Sequence, residues 1–227
     1  MYTAPPTRWT LIRKAAHGFA PDRDDFALLY EPVVRRYLEG RWRHTPFEGE
    51  IDDAVQEVFL DCFRENGALN RVTPGGPGGF RAFLFGVTRN AARHVERAAA
   101  RRRQAERALE REHEGAAEED PHLSRVFDRA FAEAIVRAAG ERQRERATEH
   151  GAAAQARVEL LRLRFEDGLP LREIARLWGE DPDRLHHEYA RARREFHEAL
   201  AEVVAYHHPG TPGEVEEECR KLLGLLE

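Results

Sequence analysis

Strand patterning, cysteine and long apolar runs are almost missing from this 227-residue chain. Without alternating β-branched and aromatic runs bounded by turns, a sandwich or barrel is excluded, and without an internal period so is a solenoid. Two cysteines, Cys62 and Cys219, stand far apart in helical patterns. They exclude a disulfide framework and fit a reducing compartment. Nowhere do about eighteen apolar residues run together, which excludes a membrane-inserted helix. The opening MYTAPPTRWTLIRKAAHG holds no apolar run followed by a small-residue cleavage site, so no signal peptide is expected and the predicted location is cytoplasmic. Lysine is limited to Lys14 and Lys221, which a G+C-rich coding bias explains as well as any function. Catalytic spacings of His, Asp, Ser or Cys are lacking, so an enzyme is not expected. The loop NRVTPGGPGG is not followed by Gly-Lys-Ser or Gly-Lys-Thr, which excludes a phosphate-cradling P-loop. His207, His208 and Cys219 offer three metal-ligand types without a fourth at recognised spacing, and neither a metal nor a cofactor is expected.

What the chain does have is helical periodicity and unevenly placed charge. Hydrophobic residues make up 41% and charged residues 34%, with a formal net charge of −5 that argues against binding nucleic acid through bulk charge. Local sign matters more for steering a partner: cations crowd residues 81–107, while residues 110–120 and 214–218 are acidic. The stretch at 80–103, FRAFLFGVTRNAARHVERAAARRR, organises the rest. Phe80, Phe83, Leu84, Val87 and Ala91 recur at helical spacing and are expected to be buried. Arg89, Arg93, Arg97 and Arg101 follow at intervals of four along one helix face. At about 1.5 Å of rise per residue they sit roughly 6 Å apart, close to the phosphate spacing of one nucleic-acid strand. Asn90 and His94 flank that row within reach of base edges.

Upstream, residues 9–16 suit a short amphipathic helix. A second helix is expected from Pro21 to Gly40, kinked or split at Pro32, with Phe26, Leu29, Tyr30, Val33, Val34, Tyr37 and Leu38 inward. A polar connector with Pro46 leads to IDDAVQEVFLDCF. There Ile51, Val55, Val58, Phe59, Cys62 and Phe63 face inward. Asp52, Asp53, Gln56, Glu57, Leu60 and Asp61 form an acidic outer face with an outward leucine, suited to docking on a basic helix of another protein.

Downstream, residues 105–123 are polar and acidic without an apolar stripe and read as a linker. Periodicity returns with Val126, Phe127, Phe131, Ile135 and Val136. Residues 143–150 are expected to be polar all round, and Val158, Leu161 and Phe165 to face inward on the next helix. LPLREIARLWGEDPDRLHHEYARARREFHEAL then carries the strongest local signal. A helix-turn-helix needs a small residue at the crossing, a turn glycine and an apolar anchor, supplied by Ala175, Gly179 and Leu185. Pro170 suits the opening turn of the first helix, while Asp181 caps the second with Pro182 at its first position. Tyr189, Ala192 and Phe196 continue inward, leaving Arg184, His186, His187, Arg191 and Arg194 outward. The tail breaks at Pro209 to Gly213 and ends in an amphipathic helix with Val215, Cys219, Leu222, Leu223 and Leu226 along one side. That helix is expected to pack back on the body or in a partner's groove, and is a candidate regulatory docking element.

Four motifs in this order resemble the bacterial RNA polymerase sigma factors of the two-domain, extracytoplasmic-function type, over residues 24–204. They are Asp52-Asp53-Ala54-Val55-Gln56-Glu57-Val58-Phe59, then Phe80-Arg81-Ala82-Phe83-Leu84-Phe85, then Arg89-Asn90-Ala91-Ala92-Arg93. The last is Leu161-Arg162-Leu163-Arg164-Phe165 leading into Leu171-Arg172-Glu173-Ile174-Ala175. The resemblance implies an all-α protein with two helical domains joined by the acidic linker, the second containing the helix-turn-helix. The expected division is a leader at 1–20, a first sigma-like domain at 21–104, the linker at 105–123, a second domain at 124–204 and the tail at 205–227. It implies a transcription initiation factor that binds core RNA polymerase at the clamp of its largest subunit and directs it to alternative promoters.

Asp53, Gln56 and Glu57 match the positions that dock on the clamp, with Leu60 beside them, although Ala54 replaces the usual leucine. Arg89, Asn90 and Arg93, with the preceding loop, match the part that opens the minus-ten element, and His94, Arg97 and Arg101 extend that row. The helix-turn-helix resembles the reader of the minus-thirty-five element, which assigns Arg184, His186, His187, Arg191 and Arg194 to duplex DNA. Where the family often has arginine-serine-arginine, this chain has His186, His187 and Glu188, and Glu188 could accept a hydrogen bond from cytosine. Promoter DNA and polymerase are the implied partners, with room for an anti-sigma factor or other regulator. The linker acids Glu110, Glu112, Glu114, Glu118, Glu119 and Asp120 fall, by the same resemblance, near the RNA path of the polymerase. An alternative is a helix-turn-helix regulator acting on duplex DNA without polymerase, which leaves the acidic Asp53-Gln56-Glu57 face without a role. A helical scaffold or adaptor leaves Arg89 to Arg101 unexplained.

Overall fold

The structure, a computed structural model, describes residues 15–16, 20–72, 79–106, 121–208 and 210–226. Among them every regular element is helical and there is no strand, so the protein is all-α. No helix among the described residues is long and apolar enough to cross a membrane. The helices are α1 (Ala20–Trp42), α2 (Ile51–Phe63), α3 (Gly79–Glu106), α4 (Pro121–His150), α5 (Ala152–Phe165), α6 (Leu171–Trp178), α7 (Pro182–His207) and α8 (Pro212–Gly224). Contacts divide the chain into one unit of residues 1–134 with 205–227 and another of residues 135–204. Most of the expected leader helix and most of the expected linker, including its six acids, lie outside the described residues.

The first unit is built on aromatic side chains. Phe26, Tyr30, Tyr37 and Trp42 of α1 are fully or almost fully buried, as are Phe80 of α3 and Phe127 of α4. Tyr30 lies 5.1 Å from Phe80, 6.0 Å from Phe131 and 5.7 Å from the ring of His207, centroid to centroid. The first pair is tilted, the second stacked and the third edge-on, and rings at these separations gain beyond the area they bury.

Pro32 does not split α1, which runs unbroken to Trp42. The carbonyl that loses its donor belongs to Leu28, whose side chain is 75% exposed, so that side of the helix is open to water. The buried row of α3 is Phe80, Leu84, Thr88 and Ala92, while Phe83, Val87 and Ala91 are only half-buried. Thr88 is tolerated inside because its hydroxyl donates to the Leu84 carbonyl at 2.9 Å. The row ends at Glu96. Arg41 donates to its two oxygens at 2.7 and 2.9 Å, and the Trp42 indole N–H donates to it at 2.9 Å. Burial alone would raise the Glu96 carboxyl, but the hydrogen bonds from Arg41 and Trp42 and the charges of Arg41 and Arg93 outweigh it and hold it below the ordinary range.

In the tail, Thr211 and Glu214 form a reciprocal capping box with Pro212 at the first helical position. Val215, Cys219 and Leu222 of α8 are buried within the first unit, and Leu223 is 36% exposed. Burial pushes the Cys219 thiol up to about 11, with Glu216 and Glu218 adding to it, and pushes Cys62 up to about 12, with Asp61 adding. Native protein at pH 8 is therefore expected to give no fast reaction with a thiol-disulfide reagent, whereas both thiols react at once in guanidinium. Rapid labelling of either cysteine in the folded chain would contradict this packing.

The second unit centres on Leu160, Ile174, Ala175 and Leu185, surrounded by Leu163, Leu169, Leu171, Trp178 and Tyr189. Residues 143–150 are not polar all round: they continue α4, with Gln143 and Ala147 buried and the Gln143 side-chain amide donating to the Ala192 carbonyl at 3.1 Å. On α5 the inward set also differs. Ala154, Arg157, Leu160 and Leu161 are buried, Val158 is half-buried and Phe165 is 67% exposed.

Candidate nucleic-acid and partner interfaces

Three surfaces carry the residues singled out from the sequence. On α2, Asp53, Gln56, Glu57 and Leu60 are all exposed. Their spacing of three, four and seven places them on one face, opposite the buried Ala54, Val55, Val58 and Cys62. Neighbouring acids are engaged within the unit: Asp52 takes Arg35 at 2.7 Å and Asp61 takes Arg64 at 2.6 Å. Asp53 and Glu57 form no ion pair among the described residues, and Leu60 is 59% exposed beside them. Two uncompensated carboxylates next to an apolar contact fit a cationic, partly apolar helix better than they fit nucleic acid.

The arginine row of α3 divides in two. Arg89 and Arg93 are half-buried, and the Arg89 guanidinium stands 5.9 Å from the ring centre of Phe85, at cation–π range. Asn90, His94, Arg97 and Arg101 are exposed. The row lies one residue, roughly 100° of helix turn, away from the buried Phe80-Leu84-Thr88-Ala92 row. The residues nearest the core are thus braced, and the later ones face solvent. Arg97 Nε donates to the Arg93 carbonyl at 3.1 Å. Arg81, at the start of the same row, pairs with Asp128 instead. The expected loop at 70–79 begins as a 3-10 turn at Ala68–Arg71, and its residues 73–78 lie outside the described residues.

In the second unit, Pro170 caps α6 and its carbonyl accepts from Glu173 and Ile174. Gly179 closes α6 in the left-handed region at φ 65°, which an L side chain resists. Asp181 Oδ1 accepts from the Arg184 backbone N–H at 3.0 Å, capping α7 as its sequence predicts. Leu185 and Ala192 of α7 are buried, while Tyr189 and Phe196 are half-buried.

Arg184, His186, His187, Arg191 and Arg194 are all exposed on α7, but they are not equivalent. Opposite the buried row, at about 100° per residue, stand His187 and Arg194, with Ala190 and Arg191 beside them and His186 on one flank. On the other flank, Arg184 pairs with Glu180 at 3.2 Å and Arg191 with Glu195 at 3.2 Å. Glu188 is engaged within the unit, although its side chain is 40% exposed. It accepts from Arg157 Nη1 at 3.2 Å, and Glu195 accepts from Arg157 Nε at 2.8 and 3.0 Å. Hydrogen bonding to Glu195 outweighs the burial that would lower it, and the Arg157 guanidinium is held above its ordinary range. An arginine on an apolar face, between Ala154 and Leu161, was the sequence signal for this network.

His207 lies among aromatic rings, 5.7 Å from Tyr30 and 5.8 Å from Phe80, and Cys219 is buried. The described residues hold no group of three His, Cys, Asp or Glu side chains spaced to bind a metal ion. No family model and no curated protein matches the chain.

Proposed function

We propose that this protein is a transcription initiation factor of the sigma type, a binding protein rather than an enzyme, acting in the cytoplasm on core RNA polymerase and promoter DNA. The observation that carries the reading is the pairing, within one helical unit, of an uncompensated acidic face with a cationic row. Asp53, Gln56, Glu57 and Leu60 share an exposed face of α2, and Asn90, His94, Arg97 and Arg101 are exposed on α3. A protein that only bound DNA would have no use for the first, and one that only bound a protein would have no use for the second.

In this reading the α2 face docks on the polymerase clamp. The α3 row then tracks the strand exposed when the minus-ten element opens, and cation–π and stacking contacts at such a row tolerate sequence. The helix-turn-helix of the second unit grips the minus-thirty-five duplex with α7 in the major groove. A duplex-DNA regulator working without polymerase is the second reading, favoured by the well-formed Gly179 turn and the Asp181 cap of the second unit.

Core polymerase separates the two. The purified chain is expected to co-elute with core polymerase at one to one and to start transcripts at a defined promoter set. Converting Asp53 and Glu57 together to arginine is expected to weaken that association by more than about tenfold, because both residues are exposed and their charge meets a partner of opposite sign. The melting temperature should stay within about 2 °C, as surface changes away from packing rarely matter more. An abundant, folded chain that core polymerase ignores would exclude the sigma reading and leave the duplex regulator.

A further inference from the structure

We infer that Arg157, which lies on α5 outside the helix that would read DNA, is a positioning residue that sets what α7 can recognise, by withdrawing the Glu188 and Glu195 carboxylates from its DNA face. The inference rests on the second unit binding duplex DNA. Arg157 has a side chain 7% exposed and bonds both glutamates, while Glu188 is 40% exposed and Glu195 29%. Glu195 in turn holds Arg191 at 3.2 Å. Seen down α7, Arg184, Glu188, Arg191 and Glu195 recur at intervals of four, three and four and share the flank that meets Arg157. The outer face keeps His187, Arg194 and Ala190.

The consequence is electrostatic. A carboxylate facing phosphate is repelled, and one in the major groove selects cytosine through its exocyclic amine. With Arg157 in place, neither effect operates, although Glu188 sits in the second turn of α7. Contacts then fall to His187 and Arg194, with Arg191 partly neutralised. Without Arg157, Glu188 has no partner and its half-exposed side chain can turn toward the groove.

The test uses the full chain and a randomised pool of DNA duplexes, with enriched sequences read out and affinities measured over a salt series. Glu188→Gln alone is expected to leave base preference unchanged and affinity within about threefold, because that carboxylate touches no base. Arg157→Met is expected to lower affinity about tenfold and to add a cytosine preference at one position. Adding Glu188→Gln to Arg157→Met should abolish the new preference and recover most of the affinity. A purely structural role for Arg157 would show no such rescue. Altered base preference in the Glu188→Gln variant, or failure of the double variant to recover, overturns the inference. If Arg157→Met does not fold, the Glu188→Gln result decides alone. Absence of duplex binding by the parent chain, seen before any variant is made, would overturn the DNA reading and this inference with it.

Discussion

Replacing Glu96 with alanine is expected to destabilise the first unit by about 2–3 kcal/mol, because it strands Arg41, whose side chain is only 14% exposed, without an anion. The carboxylate is the shared acceptor of Arg41 and of the Trp42 indole, so one truncation leaves three N–H donors on two side chains unmet. A thermal melt followed by circular dichroism reads the loss. The same group gives the unit an acid sensitivity. Its carboxyl is held below the ordinary range in the folded state. The stabilisation is therefore complete above the unfolded glutamate pKa, about 4.3, and is lost as pH falls through the lower folded value. Glu96→Gln is expected to be less stable than the parent at pH 7 and to close that gap as the pH is lowered below about 4. A constant gap between the two from pH 7 to pH 3 would show that Glu96 does not titrate with folding.

A larger effect is expected from ending the chain at Ala205. The cut removes His207, 8% exposed among Tyr30, Phe80 and Phe131, together with Val215, Cys219 and Leu222 of α8. Each buried apolar side chain contributes about 1.5–3 kcal/mol, before the entropy of ordering the tail is set against it. Small domains are stable by only about 5–15 kcal/mol, so the first unit should melt at least about 10 °C lower or lose its cooperative transition. Leu222→Asp, which keeps the chain length and tests burial alone, should reproduce a large part of the loss. A truncated protein that melts like the parent would mean that α8 contributes nothing to this core and is free to serve only as a docking element.

The helix-turn-helix was legible residue by residue because its signals are local. Gly179 has to enter the left-handed region, Asp181 has to satisfy a free amide, and Ala175 and Leu185 have to be apolar whatever surrounds them. The outer face of α2 was equally legible, since a half-buried helix displays its environment in a 3.6-residue period. Periodicity misjudged α3 for the same reason. Phe83, Val87 and Ala91 are as apolar as the residues that are buried, and only the neighbouring helices decide that Thr88 and Ala92 go inside.

Polar residues inside were the common failure. Gln143 and Arg157 look like surface residues until Ala192 and the two glutamates of α7 are brought to them across 49, 38 and 31 positions of sequence. By itself, then, the sequence determined the all-helical class, the turn chemistry and the exposed faces of α2 and α7, because these follow from local dihedral and capping preferences and from helical period. Tertiary structure alone decided which arginines are spent on internal acids and which carboxylates stay outward. The charge a ligand meets is what remains after long-range pairs have formed, and the partners in those pairs are chosen by packing.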